Sequence, residues 1–184
     1  MSTSATGSSN GLVRLLALIT IIFGGVFIVA GAATWIAVSV NLKAENITVS
    51  DDAEAFAGQT VDTPWEAWSQ AAIINHHALA ASGGLTYAEI GAEMTELKAD
   101  LAAQGLSDEE IAANEDLIAL QNTRTTVMNG SFLRASLFTS VIAFGVALLV
   151  VGLGAVVTVI GVALRKLAPA VQVEAAAPAT PATA

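Results

Sequence analysis

Two stretches without a single Asp, Glu, Lys or Arg, residues 15–42 and 135–164, constrain this chain more than any other feature. They are 28 and 30 residues long. The hydrocarbon core of a bilayer is about 30 Å thick and takes roughly 20 helical residues to cross, so each run predicts a transmembrane helix with a turn or more to spare. The composition agrees: 54% of the residues are hydrophobic and only 12% are charged, too few charges for an average soluble domain. A short polar leader with one basic residue, Arg14, precedes the first run, as in a signal peptide. Signal-peptide apolar cores span only about 7–15 residues, so the first run reads as a retained helix. The chain has no cysteine, which excludes disulfides and a lipoprotein anchor.

The basic residues set an orientation. Arg14 precedes the first run, Arg165 and Lys166 follow the second, and 15 of the 16 acidic residues lie between the runs. The positive-inside bias therefore places both termini in the cytoplasm and the acidic middle outside the cell membrane. Arg134 stands at the outer end of the second run, where its side chain can reach the headgroups. Trp35, near the outer end of the first, suits an interfacial aromatic.

Five segments follow from this reading. Residues 1–11 are rich in Ser, Thr and Gly, and residues 165–184 are rich in Pro and Ala; both read as unstructured cytoplasmic ends. Residues 12–42 and 132–164 are the two spans, and residues 43–131 form an extracytoplasmic cap. Within the cap, residues 44–63 read as extended chain and turns. Thr63-Pro64-Trp65-Glu66 then announces a helix by a capping box with proline at its first position, and Gly83-Gly84 ends it. Thr86 with Glu89 opens a second helix that stops at Gly105, and Ser107 with Glu110 opens a third carrying Ile111, Leu117, Ile118 and Leu120. This third helix is expected to run towards Met128 and break at Asn129-Gly130, before the second span. The fold class is thus an all-α membrane protein, a two-helix antiparallel transmembrane hairpin with a small helical cap.

Chemical motifs are sparse. The only two histidines are adjacent, His76 and His77, in "AAIINHHALAASGG". Helical residues turn by about 100° each, so neighbours diverge, whereas metal pairs on a helix use i,i+3 or i,i+4 spacing. No His, Cys, Asp or Glu lies three or four positions from either. A ligand could come only from elsewhere, with Asp51, Asp52 and Glu54 of the preceding loop as candidates. The expectation is two helix-surface histidines, with no metal and no cofactor; a contact responsive to pH is the alternative. Trp65, Trp68, Ala72, Asn75 and Leu79 share one stripe of the same helix. "SDDAEAF" lacks the glycine and terminal glutamate of a calcium loop. "GLGAV" lies inside a span and cannot be a phosphate loop, and no serine sits in a nucleophile-elbow pattern. A net charge of −9 argues against nucleic acid. Neither run has an ionisable residue in its interior, which argues against a proton relay, ion coupler or voltage sensor.

The spans carry a stronger pattern. Ser136, Ser140, Ala143, Ala147, Gly154, Thr158 and Gly161 recur on one face of the second, and every one is small. The first shows Ala17, Thr20, Gly24, Gly31 and Thr34, interrupted by Phe27. In lipid, helices associate through close backbone approach and through polar side chains that find partners; small residues permit both, so the two seams are expected to face each other. Gly145 and Gly152 lie nearly opposite on the second span and offer a face for another subunit or a second copy.

"AENITVSDDAEAFAGQTVD", "AAIINHHALAASGGLTYAE" and "TVMNGSFLRASLFTSVIAFGVALLVVGLG" resemble segments of small actinobacterial membrane proteins commonly labelled aromatic ring-opening dioxygenases of the LigA type. The resemblance covers most of the chain from the first span to the second. It implies two spans and, from the label, a non-haem iron enzyme; the residues themselves supply neither facial-triad spacing nor a soluble enzyme core. The acidic segment between Gly91 and Arg124 is longer than that family pattern. The residues favour an accessory or scaffolding subunit that binds another envelope protein, with a metal-dependent enzyme and an envelope pH or stress sensor as the other classes.

Overall fold

The computed structural model describes residues 6–174, with side chains over residues 11–167. It contains five helices among the described residues: α1 (Thr6–Ala44), α2 (Pro64–Ala81), α3 (Tyr87–Ala103), α4 (Asp108–Ala112) and α5 (Glu115–Glu174). No strand forms among them; the only β feature is an isolated antiparallel bridge between Thr48 and Thr60. α1 and α5 are both long and apolar enough to cross a membrane.

Helix occupies part of the chain ends that the sequence predicts to be unstructured. α1 begins at Thr6 and α5 continues through Arg165 to Glu174, because backbone hydrogen bonding propagates outward from a formed helix at low cost per residue. The remainder of those two predictions, residues 1–5 and 175–184, lies outside the described residues. The expected break at Asn129-Gly130 is also absent, since α5 runs through it without interruption. Gly130 serves another purpose: a Cβ there would stand 3.1 Å from the Cβ of Ala78 and 3.8 Å from Ile74 Cγ2. The glycine lets α2 lie close against α5 instead of ending the helix.

The chain divides into two compact units, one of Met1–Ala37 with Ala143–Ala184 and one of Val38–Ile142. In the first, Ala17, Gly24 and Gly31 of α1 are buried, as are Ala147, Gly154 and Gly161 of α5, each set at intervals of seven residues. A Cβ on Gly24 would meet Thr158 Oγ1 and lie 2.7 Å from the Gly154 carbonyl oxygen; one on Gly154 would lie 2.7 Å from the Gly24 carbonyl oxygen and 2.8 Å from the Ile28 nitrogen. Gly31 stands in the same relation to Ala147 O at 2.7 Å, and Gly161 to the Ile21 nitrogen at 2.9 Å. The obstacles are backbone atoms, which cannot rotate away. Trp35 packs beside this seam on Phe144, ring centroids 4.6 Å apart.

The second unit is organised by helix caps and one small core. All three capping boxes form: Thr63 with Glu66, Thr86 with Glu89, and Ser107 with Glu110. Hydrogen bonds from the Thr86 hydroxyl and backbone hold the Glu89 carboxyl below the ordinary glutamate range, and the Ser107 backbone and hydroxyl do the same for Glu110. The side chain of Asn114 accepts from the Leu117 N–H at 3.1 Å and caps α5. Ile90, Met94 and Leu101 of α3 then close a core with Ile111 of α4 and Leu117 and Val127 of α5. Arg124 lies over the Tyr87 ring, 4.0 Å from its centroid, and Gly91 leaves room for its guanidinium.

Because the obstacles at the seam are main-chain atoms, Gly24→Ala or Gly154→Ala is expected to destabilise the α1–α5 contact by about 1–3 kcal/mol. A Cβ added to Gly145 or Gly152 would meet nothing within 4 Å. Alanine there should be neutral, or stabilising by up to about 1 kcal/mol through helix propensity. Reversible unfolding of the four variants in mixed micelles measures the difference; equal effects at all four positions would contradict the seam.

Candidate functional site

The loop between α1 and α2 and the first half of α2 frame a groove on the surface of the second unit. Residues 46–61 fold back on themselves: the Val49 and Val61 N–H groups donate to Gln59 O and Ile47 O, each at 2.9 Å, and both valine side chains are buried. The reversal needs left-handed backbone at Asn46, at Gly58 (φ 72°) and at Phe56, whose φ of 60° is unusual for a bulky side chain. Nothing in the sequence announces that conformation at Phe56. Such a residue persists only where its surroundings determine it, and here three side chains of α2 do so. Gln70 Oε1 accepts from the Ser50 N–H at 2.9 Å, the Ser69 hydroxyl donates to Ala55 O at 2.6 Å, and His77 Nε2 lies 2.7 Å from Asp52 Oδ2.

The adjacent histidines thus have different surroundings. His77 pairs with Asp52 across 25 residues of sequence, and that hydrogen bond holds the Asp52 carboxyl below the ordinary aspartate range. His76 points to the neighbouring groove, its ring centroid 6.1 Å from that of His77. Asp51 is not among the groove-lining residues and forms no ion pair among the described residues. Among the described residues no group of three or more His, Cys, Asp or Glu is placed to hold a metal ion. The pairing of one histidine with one carboxylate can fix a loop; its two side chains supply fewer ligands than the three of a facial triad.

The groove has a volume of about 720 Å³ and is lined by Phe56, Trp65, Trp68 and Ile73 on its apolar side, with Asp52, Glu54 and His76 as its charged or titratable members. Trp65 and Trp68 are 65% and 59% exposed, the largest side chains in the unit and more than half uncovered. The tryptophan end of the stripe read from the sequence is therefore largely uncovered, while Asn75 and Leu79 at its far end are half-buried. Trp68 also meets α5 edge to face, 5.2 Å from the Phe138 ring, while the Arg134 guanidinium lies 5.7 Å from the same ring.

The small residues of α1 and α5 divide into two groups. Ala17, Gly24, Gly31, Ala147, Gly154, Thr158 and Gly161 meet at the seam. Thr20, Ser140 and Ala143 are half-buried, and Thr34 and Ser136 are exposed. The hydroxyls do not bridge the helices: Thr20, Thr34, Ser140 and Thr158 donate to Leu16 O, Ala30 O, Ser136 O and Gly154 O, each four residues earlier in its own helix. Local satisfaction leaves the approach of the two backbones as the main content of the contact. Gly145 and Gly152 are exposed, with open space beside them.

The Asp52 pairing can be tested directly. Its folded pKa lies below the ordinary 3.8, so its contribution to stability is complete above that value and is lost as pH falls through the lowered one. An NMR titration of the protein in micelles should place the Asp52 carboxyl below the ordinary aspartate value, and His77→Ala should return it there. An Asp52 titration unmoved by His77→Ala would refute the pairing. Compared with models of known families, with curated proteins and with solved structures, the chain matches none.

Proposed function

We propose that the protein is a two-span integral membrane protein in which α1 and α5 form an antiparallel hairpin, both termini are cytoplasmic, and residues 43–131 form an extracytoplasmic helical cap. It serves as an accessory or scaffolding subunit for another envelope protein, or assembles with a second copy of itself. The observation that carries the membrane reading is the exposure of the long helices. Only 11% of the most apolar stretch of α1 and 17% of that of α5 is buried, whereas the core helix of a soluble protein would be mostly covered. Ile22, Phe23, Val29, Ile142, Leu148 and Val159 are among the large side chains left uncovered, and lipid is the solvent that suits them.

Three further features support the hairpin and the partner. The order of the contacts is opposite on the two helices, Ala17 and Ile21 beside Gly161, Gly24 beside Gly154, and Gly31 beside Ala147. The flanking charges favour cytoplasmic ends. Gly145 and Gly152 line the exposed side of α5 at an interval of seven, where another helix could approach as closely as α1 does on the seam side.

The absence of native cysteine makes the topology simple to test. In intact cells a membrane-impermeant maleimide should label Glu96→Cys, and should reach Lys166→Cys only after permeabilisation; the opposite pattern would overturn the orientation. For the partner, Gly145→Leu combined with Gly152→Leu should abolish the co-purifying complex in native nanodiscs while leaving the helical circular dichroism unchanged. A complex that survives the double substitution would remove this face from the proposal.

A further inference from the structure

Given the two-span reading above, the structure assigns to α2 a second contact with the membrane: its Trp65–Trp68 face seats a phospholipid of the adjacent leaflet, with the lipid phosphate on Arg134. The depth of this face follows from Phe138. That residue stands four positions beyond Arg134, one helical turn and about 6 Å into the charge-free run of α5. Trp68 packs on its ring, so the indole reaches the level at which the run begins. That is the boundary between headgroups and acyl chains, where tryptophan is enriched because one edge of the ring is polar and its faces are not.

Charge fits the same occupant. Among the described residues the ion pairs are Lys43 with Asp62 and His77 with Asp52, so Arg134 has no carboxylate partner. Its Nε is buried without a hydrogen-bond acceptor, and its guanidinium stays beside Phe138 and, through it, Trp68. A phosphate diester supplies acceptors to the outer nitrogens of this guanidinium, in the planar arrangement that group matches. Below it, Trp68 and Phe138 offer apolar surface to the glycerol and the first methylenes. On the other flank of Trp68, Asp52 and Glu54 line the groove and keep it in contact with water, which fixes how deep α2 can settle. The unusual backbone of Phe56 holds a third aromatic ring at this groove. A face of the cap that sequence periodicity alone assigns to a helix stripe thus becomes a foot on the bilayer.

The test uses the full chain in phosphatidylcholine vesicles, with two of the three tryptophans replaced by phenylalanine in turn. Lipids brominated near the carbonyl end of the acyl chain report contact with the boundary, and aqueous iodide reports contact with water. Trp65 and Trp68 should lose most of their emission to brominated lipid and little to iodide. Arg134→Gln should weaken the lipid quenching of Trp68, and Arg134→Lys should retain it. Trp35, inside the charge-free run of α1, separates this inference from the reading it rests on. If Trp35 is quenched by brominated lipid while Trp65 and Trp68 respond only to iodide, the foot is refuted and the spans stand. If Trp65 and Trp68 resist both quenchers, protein covers them and the foot is refuted as well. If brominated lipid quenches none of the three, the spans fall together with the foot. Quenching of Trp68 unchanged by Arg134→Gln would remove the phosphate seat.

Discussion

The approach of two main chains at Gly24 and Gly154 is the contact on which the rest of the first unit depends. Glycine within a helix costs about 1 kcal/mol relative to alanine, yet four glycines stand where α1 meets α5, and each would drive a Cβ to within about 3 Å of the neighbouring backbone. The cost is acceptable only if the contact gains more than propensity loses. Between apolar helices in lipid the hydrophobic effect offers little, because a leucine gains nothing by exchanging lipid for another leucine. Dispersion between closely apposed backbones remains, and it grows steeply as the atoms approach. Seven-residue spacing on both helices keeps that approach in one line, while the other faces of both helices stay largely uncovered.

Much of this was legible because it rests on local rules. Two charge-free runs of 28 and 30 residues can hardly be anything but long apolar helices, and the described residues are helical there. Three hydroxyl–glutamate pairs at the right spacing gave three helix starts, since a capping box involves only four consecutive residues and owes nothing to tertiary packing. What the sequence obscured was non-local. Asn129-Gly130 carries the composition of a break, but a glycine is equally suited to a close crossing, and only the position of Ala78 decides between them. His77 finds its carboxylate 25 residues away, beyond any periodicity. The left-handed backbone at Phe56 has no residue-type signal at all. Helical phase placed Trp65 and Trp68 together on one stripe, but phase cannot say whether a stripe faces core, water or lipid.

The two halves of the second unit are held together differently. α3, α4 and the start of α5 bury a small aliphatic core among helices adjacent in sequence, so few loops need ordering. The loop of residues 46–61 has only Val49 and Val61 fully buried and is held by single side chains of α2, Gln70, Ser69 and His77. A loop fixed in this way presents its aromatic and acidic residues in a defined arrangement without a core of its own. On the proposed reading, both exposed surfaces of interest, the groove beside α2 and the glycine face of α5, are places of contact with a membrane or a membrane partner. The chain's distinctive chemistry is then the chemistry of surfaces, set by ring faces, open backbone and the Arg134 guanidinium.

The central claim, that α1 and α5 meet in this register inside a bilayer, is tested most directly by oxidative cross-linking in native membranes washed with alkaline carbonate. Trp35→Cys with Phe144→Cys joins two positions whose rings lie 4.6 Å apart. Trp35→Cys with Val151→Cys shifts the pair by seven residues, about 10 Å along the helix. The first pair should form an intramolecular disulfide in the membrane pellet and the second should not. Equal cross-linking of both pairs, none in the first, or recovery of the protein in the soluble fraction would contradict the account.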